Sequence, residues 1–166
     1  MAARNSRKLI VTTPSDREIV LQRTFDAPRA LVFEAWSKSE HVRRWYGCAT
    51  HQLVVCDIAF RVGGGYRFTM RAPDGSEHTM TGVYREIVWP SRIVCTERYE
   101  TEGFRSADAI VTIAFDEKDG ETTLTSTVLH PNRAQRDGHL NAGMEQGAGE
   151  TYDRLADYVA TNLALA

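Results

Sequence analysis

Residues 140–163 read LNAGMEQGAGETYDRLADYVATNL, and this stretch decides the fold. Its apolar side chains recur at three- and four-residue spacing, which places them on one face of a helix. The spacing predicts one long C-terminal helix from roughly Arg133 to Leu163. The apolar stripe consists of Leu140, Met144, Ala148, Thr151, Leu155, Val159 and Leu163.

The first half of this stripe is short of bulk. Ala142, Gly143, Gly147, Ala148 and Gly149 stand there, and each glycine inside a helix costs about 1 kcal/mol relative to alanine. One interpretation is a helix that closes over a sheet while leaving room for a ligand. The others are close backbone approach and a frayed first turn, and the stripe alone does not choose among them.

Composition limits the class of protein. We expect a single domain over residues 17–166, preceded by a tail or an additional strand in residues 1–16. Lysine and arginine total 20 against 22 for aspartate and glutamate, a net charge of -2, so we expect no nucleic-acid partner. No apolar run approaches the roughly 20 residues of a membrane span, and no signal peptide is visible. We therefore expect a soluble, cytoplasmic protein.

The spacing of cysteine and histidine favours neither disulfides nor metal. Cys48, Cys56 and Cys95 are odd in number and lack C-x-x-C spacing, so we expect free thiols. The histidines are scattered without ligand spacing, and we expect no metal and no other cofactor. They are His41, His51, His78, His130 and His139.

The N-terminal third predicts one strand and two short helices. Arg17–Phe25 alternates like a strand with one buried face, although Arg23 breaks the pattern. Asp26 is the expected N-cap of the first helix, with Pro28 in its first turn. Ser39–Trp45 is expected to form a second short helix, capped by its first residue.

The middle of the chain predicts strands and turns. Gln52–Asp57 is a short apolar strand, and Gly63–Gly65 is a bend that lets the sheet curve. The turn Ala72–Gly75 predicts a hairpin. Its expected pairs are Met70 with His78, Phe68 with Met80 and Tyr66 with Gly82, which put His78, Met80, Gly82 and Tyr84 on the inner surface.

A second hairpin is expected to turn at Asp116–Gly120. Its expected pairs are Ile113 with Leu124, Val111 with Ser126 and Ala109 with Val128. Between the hairpins lies the strand Ile93–Tyr99, whose facing the sequence leaves open, with a weak preference for Cys95 inward. The element order predicts an α+β fold in which about six antiparallel strands are covered by the C-terminal helix.

Six short segments, in this order, resemble the activator-of-heat-shock-chaperone-ATPase homologue family of the START-like, or SRPBCC, superfamily. They are Arg23–Trp36, His41–Gly47, Gly63–Phe68, Pro73–Gly75, Gly82–Ile87 and Gly143–Gly147. The resemblance covers nearly the whole chain from Arg17 onward. It implies the helix-grip fold, in which a curved sheet of about six or seven strands wraps the C-terminal helix around a cavity. In relatives that cavity takes lipids, sterols, polyketides, plant hormones or other apolar molecules.

The chain departs from the pattern of this family at the C-terminal helix. Relatives commonly carry a large aromatic where Ala148 stands and a leucine where Tyr152 stands, and Tyr46 replaces the second residue of a Trp-Trp pair. Loss of an aromatic leaves a cavity unless another side chain fills it. We therefore expect either a pocket beside Ala148 or its filling by Tyr152 or Met144.

A ligand site needs apolar walls and a few polar groups. The candidate ligand-binding residues are Trp45, Tyr66, Phe68, Met70, His78, Met80, Tyr84, Cys95, Glu97, Val111, Ile113, Met144, Ala148, Thr151 and Tyr152. The alternative for each is an ordinary place in the core. His78, Glu97 and Asp57 are weak candidates for acid or base catalysis, because none has a visible partner.

Three functions follow from the residues and the resemblance. The favoured one is binding of a small apolar or amphipathic molecule between sheet and helix. The second is an enzyme of cyclase or hydrolase type acting on such a molecule, with His78 or Glu97 in the cavity. The third is a chaperone-interaction module with a role in stress response, which rests on the family name alone. An exposed strand edge also makes a homodimer possible.

Overall fold

The computed structural model describes residues 7–161 of the chain. This part folds into nine strands and four helices. In chain order they are β1 (Ile10–Thr12), β2 (Glu18–Phe25), α1 (Arg29–Ser37), α2 (Ser39–Trp45), β3 (Gln52–Ile58), β4 (Gly65–Arg71), β5 (Glu77–Val88), β6 (Arg92–Thr101), β7 (Phe104–Arg105), β8 (Ala109–Lys118), β9 (Glu121–Leu129), α3 (Arg133–Asn141) and α4 (Met144–Thr161).

The strands form one open antiparallel sheet. Their order is β1-β2-β9-β8-β6-β5-β4-β3, and β7 pairs with β6. With the long C-terminal helix, this is the α+β architecture that the element order predicts, and it agrees with the helix-grip fold that the family resemblance implies. The strand number exceeds the expected six or seven because β1 pairs with β2 and because the chain forms the two-residue strand β7.

The expected long C-terminal helix is confirmed, but its predicted start near Arg133 is wrong, because residues 133–141 form the separate helix α3 and the long helix α4 begins at Met144. Gly143 separates them with a φ of +76°, a left-handed conformation that ends α3 and that glycine adopts without steric cost. The apolar spacing continues through the break, which is why the stripe did not reveal it. Leu163, the last residue of the stripe, lies outside the described residues.

Both expected helix caps are also wrong. Pro28, rather than Asp26, is the N-cap of α1, and no side-chain cap bond is formed there. Lys38 takes the N-cap position of α2, so Ser39 is already its first residue. A side-chain cap does occur on α3, where the Asn132 carboxamide oxygen accepts a hydrogen bond from the Gln135 amide at 2.9 Å.

The first hairpin has the predicted register, and the second is shifted. Met70 pairs with His78, Phe68 with Met80 and Tyr66 with Gly82. In the β8–β9 hairpin the expected pairs are wrong by two residues, because Ile113 pairs with Ser126, Val111 with Val128 and Phe115 with Leu124. The turn there is tight, with Asp119 and Gly120 both at positive φ, which is the geometry of a two-residue hairpin loop. A shift of two keeps the same side chains inward.

The bend at Gly63–Gly65 brings two backbones into close approach. A Cβ on Gly64 would lie 2.0 Å from the carbonyl oxygen of Ala59. The Tyr84 amide donates a hydrogen bond to the Gly64 carbonyl at 2.9 Å. Only glycine fits this corner, which joins β3 to β4 beside the second half of β5.

The apolar core lies under α1 and the second half of α4. Leu155 and Val159 are buried there, together with Phe25 and Phe33. Arg23 also points to this side of β2 and is buried. Its guanidinium forms an ion pair with Asp153 of α4 at 2.5 Å, which explains why a charge interrupts the apolar alternation of β2. Among the helices of residues 7–161, none is long and apolar enough to cross a bilayer.

Candidate functional site

A cavity of about 420 Å³ lies between the inner face of the sheet and the first half of α4. This volume falls in the range of small-molecule sites, roughly 300–1,000 Å³. Ala148 and Gly147 line it, and a Cβ placed on Gly147 would meet no atom within 4 Å. Close backbone approach is therefore not the reason for this glycine, and the missing bulk of α4 leaves open volume.

Each candidate ligand-binding residue named from the sequence lines this cavity. The strand β6 turns Ile93, Cys95 and Glu97 toward it, which resolves the facing that the sequence left open. Asp57 is placed elsewhere, because its side chain is exposed on β3 and does not reach the cavity wall.

Sequence reasoning missed part of the wall. The further lining residues are Leu21, Trp36, Val42, Tyr46, Gly47, Cys48, His51, Ile93, Ser126, Val128, His139, Ala142, Gly143 and Gly147. Alternation along β2 and β9 could have found Leu21, Ser126 and Val128, since they share a face with the predicted core. Nothing in the local pattern indicates His139, which reaches the cavity because α3 ends beside it.

Aromatic rings form much of the wall. The ring centroids of Tyr46 and Phe68 lie 4.7 Å apart, and those of Tyr66 and Phe68 lie 5.1 Å apart. On the helical side the rings of Trp36 and Trp45 are 4.8 Å apart and meet edge to face. These distances are typical of packed aromatic pairs, which stabilise a folded structure beyond the burial of their area.

Neither of the two residues expected to fill the space beside Ala148 closes it. Tyr152 is buried against Phe25 and Trp36, with ring centroids 6.3 and 6.4 Å away. Met144 lies at the cavity wall and is half-buried.

Glu97 places a carboxyl group inside this apolar space. Burial alone raises its pKa from 4.5 to about 7. Burial is also the main reason that the pKa values of Tyr46, Tyr66 and Tyr152 are raised, and the Glu97 charge adds to each. Among residues 7–161, no lysine or arginine lines the cavity to compensate this carboxyl.

Hydroxyl groups of the wall are partly used within the protein. Tyr66 donates a hydrogen bond to the Thr96 carbonyl at 2.8 Å. The Thr151 hydroxyl lies 3.0 Å from the Gly47 carbonyl and 2.9 Å from the Gly147 carbonyl. Thr151 thereby ties the loop after α2 to the small-residue half of α4.

The histidines that line the cavity lie toward one of its ends. His78 Nδ1 lies 2.5 Å from the Tyr99 hydroxyl, and the rings of His51 and His78 are 5.8 Å apart. His78 pairs with Thr101, four positions along β6 from Glu97, a separation of about 13 Å at the rise of a strand. The structure therefore does not bring the two catalytic candidates together.

His139 lies at the same end of the cavity, against His130. Its Nδ1 is 3.0 Å from His130 Nε2. Burial, followed by the neighbouring His130, lowers the pKa of His139 to about 4. Within the described part of the chain, no group of three or more histidine, cysteine or acidic side chains has a geometry that could hold a metal ion.

The comparison with known families agrees with this architecture. Residues 26–160 match the model of the family described as Activator of Hsp90 ATPase homolog 1-like protein. The chain belongs to this family. No curated protein matches the sequence.

Solved structures show how widely the fold of this family member is shared. A protein from Rhodobacter sphaeroides superposes with a TM-score of 0.82 at 21% identity, over 92% of this chain and 98% of that one. A protein from Nitrosomonas europaea gives 0.80 at 21% identity, over 92% and 99%. Protein Ms6760 from Mycobacterium smegmatis gives 0.80 at 19% identity, over 92% and 98%. Likeness at this level of identity establishes the fold.

Proposed function

We propose that the protein binds a small apolar or amphipathic molecule in the cavity between the sheet and α4. One observation carries the proposal: the space beside Ala148 and Gly147 is open, although aromatic side chains surround it. Packed protein interiors leave few voids larger than a water molecule, and unfilled volume costs stability. A cavity of this size is therefore best explained by an occupant.

The experiment fills the cavity from α4. Ala148→Phe places a ring where relatives of this family carry an aromatic. We expect the affinity for pyrene, a neutral fluorophore whose emission reports an apolar environment, to fall about tenfold or more. Ala134→Phe is the matched control, because Ala134 is exposed on α3 and does not line the cavity. It should bind pyrene like the wild type.

Two results would overturn ligand binding in this cavity. One is wild-type protein that does not bind pyrene or any other apolar probe of similar size. The other is Ala148→Phe protein that is folded by circular dichroism and binds pyrene as tightly as the Ala134→Phe control. Native mass spectrometry of gently purified protein supplies an independent measurement, since a copurified molecule should be retained by the wild type and lost from Ala148→Phe.

Catalysis on the bound molecule is the second candidate function, and Glu97 is the observation that favours it. A carboxyl whose pKa is raised to about 7 can transfer a proton near neutral pH. The test is a change in mass of the copurified molecule on incubation with excess wild-type protein. Turnover that persists in Glu97→Gln would show that Glu97 takes no part in the reaction. If the wild type shows no turnover, catalysis is ruled out and ligand binding stands as the function.

The remaining expectations stay predictions. A chaperone-related role rests on the family name, and a homodimer rests on the free edges of β1 and β3 in the described sheet. Size-exclusion chromatography with light scattering tests the dimer. Capture of a purified chaperone ATPase by the immobilised protein tests the chaperone role, and failure to capture it would dispose of that role.

A further inference from the structure

We propose that the cavity selects amphipathic molecules that carry a basic nitrogen, which binds as an ammonium group against the Glu97 carboxylate. This inference rests on the proposed ligand-binding function and names the chemical class of the ligand. It follows from the charges that line the cavity, from the aromatic wall around them and from the absence of a protein partner for Glu97 among the described residues.

The charge of the cavity comes from one side chain. In the described part of the chain, Glu97 is the only aspartate or glutamate that lines the cavity, and no lysine or arginine lines it. Among the described residues, no salt bridge and no side-chain hydrogen bond reaches the Glu97 carboxyl, and burial is the sole cause of its raised pKa. Glu97 is half-buried, and a carboxylate that is withdrawn from bulk water without a partner is costly. A ligand cation is the group that would compensate it.

The other titratable groups of the wall do not supply a positive charge next to Glu97. Burial raises the pKa values of Tyr46, Tyr66, Tyr152 and Cys95, which keeps these groups protonated and neutral at neutral pH. Burial lowers the pKa of His139, which keeps that imidazole neutral as well. The remaining titratable groups that line the cavity are Cys48, His51, His78 and Tyr84.

His78 stands apart from Glu97, toward one end of the cavity. Its Nδ1 lies against the Tyr99 hydroxyl, and it pairs with Thr101, four positions along β6 from Glu97. The ring of His51 lies 5.8 Å from that of His78 and is tilted to it by 59°, and His51 Nδ1 lies 3.4 Å from the Cys48 thiol. These contacts of the two histidines are with each other, with Tyr99 and with Cys48. None of these contacts involves Glu97.

The aromatic wall favours the same ligand. The faces of tryptophan, tyrosine and phenylalanine attract organic cations, by about 2 kcal/mol when the contact is desolvated. Trp45, Tyr46, Tyr66 and Phe68 line the cavity with Glu97. A fatty acid would instead bring a second carboxylate into a space without a lysine or arginine from the described chain. The combination of aromatic faces with one carboxyl group therefore favours an ammonium head group over a hydroxyl or a carboxylate.

The experiment compares three molecules with the same alkyl chain: decylamine, decanol and decanoate. Each displaces pyrene from the wild type at about pH 8. We expect decylamine to bind about tenfold more tightly than decanol, and decanoate to bind most weakly. In Glu97→Gln the advantage of decylamine over decanol should disappear, while decanol binds as before. Glu102→Gln is the matched control, because Glu102 is exposed in the turn between β6 and β7.

A second measurement detects the charge change on Glu97 itself. At about pH 6 the carboxyl of the free protein is largely protonated, so binding of an ammonium group should release roughly one proton per ligand. Calorimetry in two buffers of different ionisation enthalpy counts that proton. Decanol should release none, and Glu97→Gln should release none with either ligand.

The outcomes separate this inference from the function on which it rests. Decylamine that binds the wild type no better than decanol, with no proton released, would overturn the inference and leave ligand binding intact. Failure of pyrene and of all three alkyl molecules to bind would overturn both. The comparison of head groups on wild-type protein decides the matter even where Glu97→Gln does not fold.

Discussion

At the scale of single residues, Glu97 and His139 respond to pH in opposite directions. Glu97 is an acid whose pKa is raised to about 7 by burial, and His139 is a base whose pKa is lowered to about 4, again chiefly by burial. In both cases the neutral form is favoured in the folded protein. Each group therefore links the free energy of unfolding to pH, over its own range.

Glu97→Gln should be more stable than the wild type above neutral pH. The folded-state pKa of about 7 lies above 4.5, so the folded protein retains a proton that the unfolded chain has released, and stability is lost as pH rises through this range. We expect the free energy of unfolding of the variant, relative to that of the wild type, to be about 2 kcal/mol higher at about pH 8 than at about pH 5. Urea unfolding at both values measures it. A gain of the same size in Glu102→Gln would contradict the assignment to burial.

His139→Gln should reduce the loss of stability in acid. The folded-state pKa of about 4 lies below 6.5, so the unfolded chain takes up a proton first, and stability is lost as pH falls from the higher value to the lower. Protonation of His139 in the unfolded chain lowers the free energy of unfolding by about 2 kcal/mol between about pH 7.5 and about pH 5. Urea unfolding of the variant at both values should show that contribution missing. An unchanged pH dependence would show that other groups carry the acid sensitivity.

At the scale of elements, α4 has two halves with different tasks. Its second half buries Leu155 and Val159 in the core, whereas its first half, from Met144 to Glu150, is half-buried or exposed and covers the cavity. The glycines follow this division. Gly143 breaks the helix with a positive φ, and Gly147 lies within the helix with open space where a side chain would stand.

Substitution of these two glycines by alanine should have opposite effects on stability. Gly147→Ala removes the cost of glycine in a helix and meets no atom, so we expect a gain of about 1 kcal/mol. It should also weaken pyrene binding, because the added methyl group enters the cavity. Gly143→Ala forces alanine into a left-handed conformation and should lose about 1 kcal/mol. Urea unfolding compares them, and changes of the same sign would contradict the structural assignment.

The ion pair between Arg23 and Asp153 fixes α4 to β2. The Arg23 side chain is 4% exposed and that of Asp153 is 69% exposed. Asp153→Ala should therefore cost about 2 kcal/mol, because it leaves a buried guanidinium without its partner. Asp157→Ala, one turn further along the exposed side of α4, is the control and should change stability by less than about 0.5 kcal/mol. Equal losses in urea unfolding would remove the ion pair as the cause.

At the scale of the whole molecule, the sheet and the core half of α4 form a frame, and the cavity half of α4 is the part with fewer buried contacts. Ala142 and Gly143, between α3 and α4, line the cavity and are exposed. Segments with few buried apolar contacts open with lower free energy than the core. Access to the cavity is therefore expected at this junction.

Hydrogen exchange should reveal that division. In the free protein we expect the amides of residues 144–150 to exchange faster than those of residues 155–159, and saturation with a cavity ligand such as pyrene should slow the first group selectively. Mass spectrometry of peptides from both halves of α4 measures this. Uniform exchange along α4, or protection by the ligand in the second half only, would place the entrance elsewhere.

The sequence by itself determined the fold class, the hairpin of β4 with β5 and the candidate lining residues. Short-range patterns contain this information, because alternation assigns a face to each strand residue and turn chemistry sets the pairing of the first hairpin. The sequence also shows that Gly147 and Ala148 are small residues on the face of the helix that packs on the sheet, because periodicity assigns residues to that face. The same reasoning gave the wrong register for the β8–β9 hairpin, because the strands continue to pair up to a two-residue loop at Asp119–Gly120 and do not separate at Asp116.

Only the tertiary structure decided whether the small residues in the first half of α4 leave a cavity or are covered by other side chains. Three features depend on packing between elements that are far apart in the chain. They are the helix break at Gly143, the orientation of Glu97 toward the cavity and the position of His139 at the cavity wall. The pKa of Glu97 is likewise a property of burial among those elements, since its own neighbours in sequence do not reveal that burial. Periodicity gives the side of an element on which a residue lies, and packing alone decides whether that side is filled.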